Sequence, residues 1–266
     1  MALTYTRSGA GAPLVLLHGI GSARQAWDPV VDQLAERFEV LAIDLPGFGG
    51  SPPLPADVEP QPSAIAAAVA AFLDEQGVVA PHVAGNSLGG WVALELAAIR
   101  PVRSLTLLSP AGLWQGRTPL YNRISLRTTR ALARRFTALA CRLVRYRAGR
   151  VVILGQTHGN PARISVAYAE MAVRAMADCP GFDATMKATE PRCYRAGVPI
   201  DAPVTVAFGS RDLLLRPHQS RHLGELPPGT HVATLAGCGH VPMADHPVAV
   251  AALIIAATEQ ARPSRR

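Results

Sequence analysis

The most informative stretch of this sequence is His82-Val83-Ala84-Gly85-Asn86-Ser87-Leu88-Gly89-Gly90, a Gly-x-Ser-x-Gly pentapeptide between a short apolar run and a helix-forming segment. In that context the serine is predicted at a tight strand-to-helix turn, and Gly85 and Gly89 remove Cβ atoms that would collide there. Such a turn holds the Ser87 hydroxyl clear of the sheet and leaves the Leu88 amide at a helix N-terminus, where it can face an oxyanion. An ordinary glycine-rich loop is the alternative, and three further motifs argue against it.

The first of these motifs lies upstream, where the apolar run 13–17 predicts a buried strand that leads into His18-Gly19-Ile20-Gly21. This loop can offer a second donor, the amide of Ile20, to the same oxyanion. The glycines on either side of Ile20 let the chain turn closely around a bound carbonyl. We interpret His18 as a structural residue that hydrogen-bonds within the loop, because a better candidate for the general base lies further along the chain.

That candidate is His240, which lies in a glycine-rich loop after the strand-like segment 231–235. The matching acid is Asp212, which follows another β-branched run, 204–209. A carboxylate in that position can accept the N–H of the imidazole, fix its tautomer and stabilise the imidazolium formed during attack. The order along the chain is therefore Ser87, Asp212, His240, which differs from the order in other serine triads.

Two further polar residues, Asp44 and Asn86, each have more than one interpretation. Asp44 also follows an apolar run, but the glycines and proline after it form a turn that a short carboxylate closes by bonding backbone amides, so a structural role is expected. Asn86 lies beside the candidate nucleophile, where it can orient water or substrate or simply support the turn.

Taken together, these motifs resemble those of the α/β-hydrolase family, and the resemblance covers nearly the whole chain. The matching segments are His18-Gly19, Asp44 to Ser51, Gly85 to Gly89, Gly209 to Asp212, and Gly239-His240. The resemblance implies Ser87 as nucleophile, Asp212 as acid, His240 as base, and an oxyanion hole from the amides of Ile20 and Leu88. We expect such an enzyme to need no cofactor or metal. Family members that open epoxides or displace halide use an aspartate where Ser87 stands.

The alternation of strand-like and helical segments predicts an α/β fold, namely a mostly parallel sheet with helices on both faces. Strands are expected near Val15, Leu41, Val83, Leu107, Val206 and Val232. The alternation stops between about Trp114 and Gly197, so we expect residues 113–197 to form an inserted helical cap and residues 1–112 and 198–266 to form the catalytic core.

Two helices are expected in the cap, each with an apolar stripe packed against the core. The first carries Leu132, Phe136, Leu139 and Leu143 on one face and Arg123, Arg127, Arg130, Arg134 and Arg145 on the other. The second starts at Asn160-Pro161 and carries Ile164, Tyr168, Met171 and Ala175. Some stripe residues should face the substrate, and Phe136 and Met171, with Asn86, are the candidates for substrate contact.

The charge of the chain is concentrated in the cap. Residues 113–197 hold fifteen Lys or Arg and four Asp or Glu, whereas the rest of the chain has a net charge of −4. We interpret the arginines as a solvated helix face; the alternative is a surface that attracts anionic substrates, acyl carriers or an acidic membrane. Nucleic-acid binding is disfavoured because the arginines are not interleaved with aromatics.

From its composition we expect the chain to be cytoplasmic. No apolar run approaches the roughly 20 residues that cross a bilayer, and the N-terminal segment lacks the pattern of a signal peptide. The four cysteines, at 141, 179, 193 and 238, show neither paired spacing nor a Cys/His cluster for zinc, so free thiols are expected.

The expected function is that of a serine hydrolase that cleaves an ester, or a similar activated acyl bond, of a largely apolar small molecule through an acyl-enzyme. The turn at Gly85-Asn86-Ser87 also resembles that of hydrolases that cleave carbon–carbon bonds of ring-fission products. Against their pattern, the loop after His18-Gly19 is short, and Val241 rather than tryptophan follows the histidine. A third alternative is a non-catalytic small-molecule receptor, which has little reason to retain all three residues of the triad. The oligomeric state is not indicated.

Overall fold

The computed structural model describes residues 2–261. Seven strands form one sheet: β1 (Tyr5–Ser8), β2 (Ala12–Leu17), β3 (Phe38–Ile43), β4 (His82–Asn86), β5 (Ser104–Leu108), β6 (Val204–Gly209) and β7 (His231–Leu235). Their order across the sheet is β1-β3-β2-β4-β5-β6-β7. Strand β1 is antiparallel to β3, and the other neighbouring strands are parallel.

The α-helices that surround and extend from this sheet are α1 (Asp28–Ala35), α2 (Pro62–Glu75), α3 (Leu88–Ile99), α4 (Leu120–Arg135), α5 (Thr137–Leu143), α6 (Arg147–Leu154), α7 (Val166–Ala177), α8 (Phe182–Thr189), α9 (Pro217–Ser220) and α10 (Pro247–Glu259). Short 3₁₀ turns occupy Arg24–Trp27, Pro161–Arg163 and Leu223–Glu225.

The sheet is covered on both faces, as its apolar strands require. Side chains alternate along β2, so that Leu14 and Leu16 enter one core and Val15 and Leu17 the other. Helices α1 and α10 pack on the first face, and α2 and α3 pack on the second. The predicted α/β class and its parallel sheet are confirmed, including a strand at each of the six expected positions.

The structure adds β1, which the sequence analysis did not predict. This edge strand pairs only with β3, and its residues are partly or fully exposed. Residues Tyr5–Ser8 include no aliphatic side chain, whereas each of the other six strands does, so no apolar pattern marks β1 as a strand.

Between β5 and β6, the described residues form helices and turns without a strand. Helices α5 to α7 share a small core of their own, which includes Cys141, Val144 and Val173. Helix α8 instead places Phe182 and Met186 in the main core beside α2 and α3. We call residues 113–197 the cap segment, and its boundaries remain a prediction.

The prediction of one continuous first cap helix was wrong. Helix α4 ends at Arg135 and α5 starts at Thr137, with Phe136 between them at φ −128° and ψ 32°. The Thr137 hydroxyl donates to the carbonyl of Ala133 at 2.7 Å, a local bond that competes with regular helix geometry.

The expected packing of its apolar stripe against the core was also wrong. The buried residues of α4 are polar: Asn122 donates to the carbonyl of Leu214 at 2.7 Å, and Arg130 donates to that of Ala177 at 2.6 Å. Side-chain donors that reach carbonyls of neighbouring segments hold the helix with this face inward. The stripe from Leu132 to Leu143 is consequently exposed.

The second cap helix starts later than expected. Asn160-Pro161 leads into the 3₁₀ turn, and α7 begins at Val166. The cap of α7 is Ser165, whose hydroxyl accepts the amide of Tyr168.

Candidate active site

The serine of the Gly-x-Ser-x-Gly sequence lies in a strained turn between β4 and α3. Ser87 has φ 54° and ψ −115°, an unfavourable region for a residue with a side chain. A Cβ on Gly85 would lie 2.3 Å from the carbonyl oxygen of Gly89, and one on Gly89 would lie 2.1 Å from that of Leu17. Both positions therefore require glycine for the close approach of backbone segments.

The other two candidate residues meet at the same edge of the sheet. Asp212 follows β6 and His240 follows β7, and the carboxyl ends of parallel strands β4, β6 and β7 lie on one side. His240 Nδ1–H donates to Asp212 Oδ2 at 2.9 Å, and both side chains are buried. The Nε2 atom of His240 is also buried and has no hydrogen-bond partner among residues 2–261.

Both oxygens of the Asp212 carboxylate accept hydrogen bonds. Its Oδ1 atom accepts the amides of Leu214 at 2.9 Å and Leu215 at 2.8 Å. Burial alone raises the pKa of this carboxyl, but the charge of His240 and the hydrogen bonds outweigh burial, and the net shift is downward. Asp212 is thus a carboxylate suited to orient an imidazole and to stabilise its charged form.

Ser109 adds a further polar group at this point, which the sequence analysis missed. It follows β5, is buried, and has φ 42°. Its hydroxyl contributes to the lowered pKa of Asp212 although it makes no hydrogen bond of standard geometry with a described residue. Its nearness to the site follows from the position of β5 between β4 and β6 in the sheet, and no local sequence motif predicts it.

Two backbone amides, those of Leu88 and Ile20, are the predicted oxyanion hole, and this role remains a prediction. The Leu88 amide is the first of α3, where helical amides have no acceptor within the helix. A Cβ on Gly19 would lie 3.1 Å from Ser87 Cβ, and the next residue, Ile20, lines the same cavity as Ser87. Neither amide donates to a residue in the described part of the chain.

The structural interpretations of His18 and Asp44 are supported by their contacts. His18 Nδ1–H donates to the Gly19 carbonyl at 2.7 Å, and its Nε2 accepts the Leu45 amide at 3.0 Å. Both ring nitrogens are therefore used, and burial lowers the pKa of this histidine. Asp44 accepts the amide and guanidinium of Arg24 and the amide of Gly50, as a turn-closing carboxylate does.

Asn86 connects two parts of the site. Its amide nitrogen donates to the carbonyl of Leu108 at 3.0 Å and to that of His240 at 2.9 Å. Its side-chain nitrogen thus supports the serine turn and the histidine loop together, while the residue also lines the cavity described next.

A cavity of about 470 Å³ joins these residues, within the size range of small-ligand sites. Ser87 and His240 lie in its wall, and the cap segment supplies most of the remainder, which is largely apolar. Phe136 and Met171, the two cap residues expected to contact substrate, both line it.

His158, in the cap segment, is a buried polar residue of this wall that the sequence analysis did not single out. Its Nδ1 is 2.9 Å from the hydroxyl of Thr157, and its buried Nε2 has no partner among the described residues. Burial, opposed in part by Asp245, lowers its pKa to about 4, so the imidazole is neutral near pH 7.

Asp245 connects the cap segment to the histidine loop. Its carboxylate accepts the amides of Gly159 at 2.7 Å, Asn160 at 2.9 Å and Gly239 at 2.8 Å. Its position, two residues before the start of α10, is the one sequence feature that could have drawn attention to it. His246 supplies the cap of this helix.

Among the residues that the structure describes, no group of His, Cys, Asp or Glu is arranged to hold a metal ion. None of the described helices combines the length and the apolar character that crossing a membrane requires.

Comparison with known proteins identifies the family. The sequence profile of the Alpha/beta hydrolase family matches residues 14–253, and the chain belongs to this family. Curated relatives match at 44% identity over 111 residues, which is 29% to 42% of their own lengths, so the match spans less than half of these relatives. One of them is a pimeloyl-[acyl-carrier protein] methyl ester esterase of Aeromonas hydrophila, matched over 42% of each chain.

Solved structures show the same fold. An esterase from Thermogutta terrifontis superimposes with a TM-score of 0.78 at 19% identity, over 98% of this chain and 94% of the other. A meta-cleavage product hydrolase from Pseudomonas fluorescens superimposes with a TM-score of 0.75 at 18% identity, over 98% and 95%. At these identities the likeness extends to the fold alone.

Proposed function

We propose that this protein is a serine hydrolase that cleaves an ester, or a similar activated acyl bond, of a largely apolar small molecule. The observation that carries the proposal is the state of His240: Asp212 accepts from Nδ1, Nε2 has no partner among the described residues, and His240 lines the same cavity as Ser87. An imidazole in this state can remove the proton of a serine hydroxyl.

The reaction would then proceed in two halves. Ser87 attacks the carbonyl carbon as His240 Nε2 takes its proton, and the amides of Ile20 and Leu88 hold the oxyanion of the tetrahedral intermediate. His240 returns the proton to the leaving group, which departs and leaves an acyl group on Ser87. Water, deprotonated by His240, attacks this acyl-enzyme and releases the acid.

The character of the cavity supports an apolar substrate. Aliphatic and aromatic side chains of the cap segment, among them Leu126, Phe136 and Met171, form most of its wall. Buried apolar surface favours an apolar group in proportion to the area it covers. We accordingly propose residues 113–197 as a cap whose side chains select the substrate.

The experiment that tests this proposal measures turnover of an ester series of increasing acyl length, beside a ring-fission dienone, on the wild type and Ser87→Ala. We expect ester turnover in the wild type and a loss of roughly 10⁴-fold or more in the variant. Turnover of the dienone alone would assign carbon–carbon bond hydrolysis to the same residues, and binding of these compounds with no turnover of either would indicate a receptor.

A further inference from the structure

The cap segment exposes an unusual amount of apolar surface in one stretch of chain. Seven side chains between residues 132 and 152 are between 42% and 83% exposed. They are Leu132, Phe136, Leu139, Leu143, Tyr146, Val151 and Val152. Single exposed apolar residues are common on protein surfaces, but a contiguous group of this kind marks an interaction site.

This exposed group is continuous with the candidate active site. Leu132, Phe136, Leu139, Leu143 and Val152 are exposed to solvent and also line the cavity that contains Ser87. The cavity therefore reaches the surface between α4, α5 and α6, and its rim is apolar. A molecule that enters here passes from an apolar surface into an apolar cavity.

Unpaired positive charges lie among these apolar residues. The guanidinium of Arg135 lies 5.1 Å from the ring centre of Phe136. On α5, Arg142 follows Leu139 by three positions, and on α6, Arg147 precedes Val151 by four, so each pair shares a helix face. Within the described chain, none of these three exposed arginines is within ion-pair distance of a carboxylate.

Other arginines of the cap segment have different roles. Arg123 and Arg127 pair with Glu190, and Arg145 pairs with Glu170. Arg130 is buried, so the expected solvated face of five arginines does not describe it. The cations without a carboxylate partner among the described residues thus include three that neighbour exposed apolar side chains. We call the seven exposed apolar residues, together with Arg135, Arg142 and Arg147, the entrance face.

We propose that the entrance face docks on the surface of an anionic lipid bilayer, and that the substrate is an ester held in that bilayer. Apolar side chains of interfacial helices enter the boundary between headgroups and acyl chains, while neighbouring arginines contact anionic headgroups. An acyl chain can then reach Ser87 without crossing water. Hydrolysis of an ester in the bilayer rests on the proposed function, whereas docking on the bilayer does not.

An acidic protein is a weaker match to this face. Charge alone would recruit such a partner, and the arginines would suffice for it. Seven exposed apolar side chains on α4, α5, α6 and the turns between these helices, five of them also lining the cavity, instead match a fluid apolar phase.

The test uses the full chain with Ser87→Ala, so that docking is measured without turnover. Binding to vesicles that contain phosphatidylglycerol is compared with binding to vesicles of phosphatidylcholine alone. The docking variant is Arg135→Gln, Arg142→Gln and Arg147→Gln together. The control with the same change in net charge is Arg7→Gln, Arg37→Gln and Arg103→Gln, which removes three exposed charges outside the cap segment. Tyr146→Ser with Val151→Gln tests the apolar part.

We expect the Ser87→Ala chain to bind the anionic vesicles, the docking variant to bind them about a hundredfold more weakly, and the control to change little. The apolar variant should also weaken binding. With Ser87 restored, the docking variant should hydrolyse a water-dissolved short-chain ester at the wild-type rate but lose activity on an ester carried in anionic vesicles.

Absence of vesicle binding, or equal losses in the docking variant and the control, would overturn the proposal. So would binding of an acidic carrier protein, but not of vesicles, through the entrance face. Failure to hydrolyse the dissolved ester would instead contradict the proposed function, because that assay requires no docking.

Discussion

At the scale of single residues, two aspartates have distinct roles that mutation can separate. Asp212 holds His240, so Asp212→Asn should leave the fold intact and lower kcat by about 10⁴-fold, the effect of the equivalent change in a well-studied triad. Asp44 is fully buried and binds Arg24, so Asp44→Asn should destabilise the fold by about 2–4 kcal/mol. Rates and melting temperatures of both variants check this, and the reverse pattern would make Asp44 the acid.

His158 should make stability depend on pH. Burial lowers the pKa of this histidine from 6.5 to about 4 in the folded state. Between these values the unfolded chain binds a proton that the folded chain does not, so stability falls as pH decreases through this range. From neutral pH to about pH 5, His158 should account for a loss on the order of 2 kcal/mol.

Urea unfolding at the two pH values measures this effect. His158→Gln should reduce the loss, whereas a change of the exposed His231 to Gln should not alter it. Equal pH dependence in the wild type and His158→Gln would show that this histidine already binds its proton in the folded protein.

At the scale of elements, Asp245 determines how the cap segment meets the histidine loop. Its carboxylate accepts three amides, two from the segment after α6 and one from the loop that carries His240. Asp245→Ala leaves these amides without an acceptor, so we expect a destabilisation of about 3 kcal/mol and a reduced kcat in the folded fraction. The neighbouring His246→Ala, which removes only a helix cap, is the control. A variant with unchanged kcat would show that this contact does not position His240.

Prediction from sequence succeeded where local chemistry dictates structure and failed where packing between elements does. Gly85 and Gly89 predict a tight turn, because a Cβ at either position would collide with backbone there. The apolar run around Val15 predicts a strand that is covered on both faces of the sheet. The face of α4 turned inward, in contrast, depends on Asn122 and Arg130 finding carbonyls on segments far along the chain. Periodicity places such residues on a common face but does not say which face is buried.

At the scale of the whole molecule, the sheet and the cap segment supply different parts of the candidate site. The carboxyl ends of β4, β6 and β7 assemble Ser87, Asp212 and His240, the expected place for a site in a parallel α/β sheet. The cap segment forms the apolar wall and the basic rim. Under the proposed function, residues at the strand ends would carry out acyl transfer and side chains of the cap segment would select the substrate. We therefore expect changes in the cap segment to alter specificity more than the rate of acyl transfer.

The most direct test of the central claim is covalent labelling of the wild-type protein by a fluorophosphonate, followed by mass spectrometry of its peptides. We expect a single modified residue, Ser87, and labelling slowed by roughly 10³-fold or more in His240→Gln, because this variant lacks the proposed base. Modification of another serine of the cavity, such as Ser22, or an unchanged labelling rate in His240→Gln, would contradict the proposed roles of Ser87 and His240.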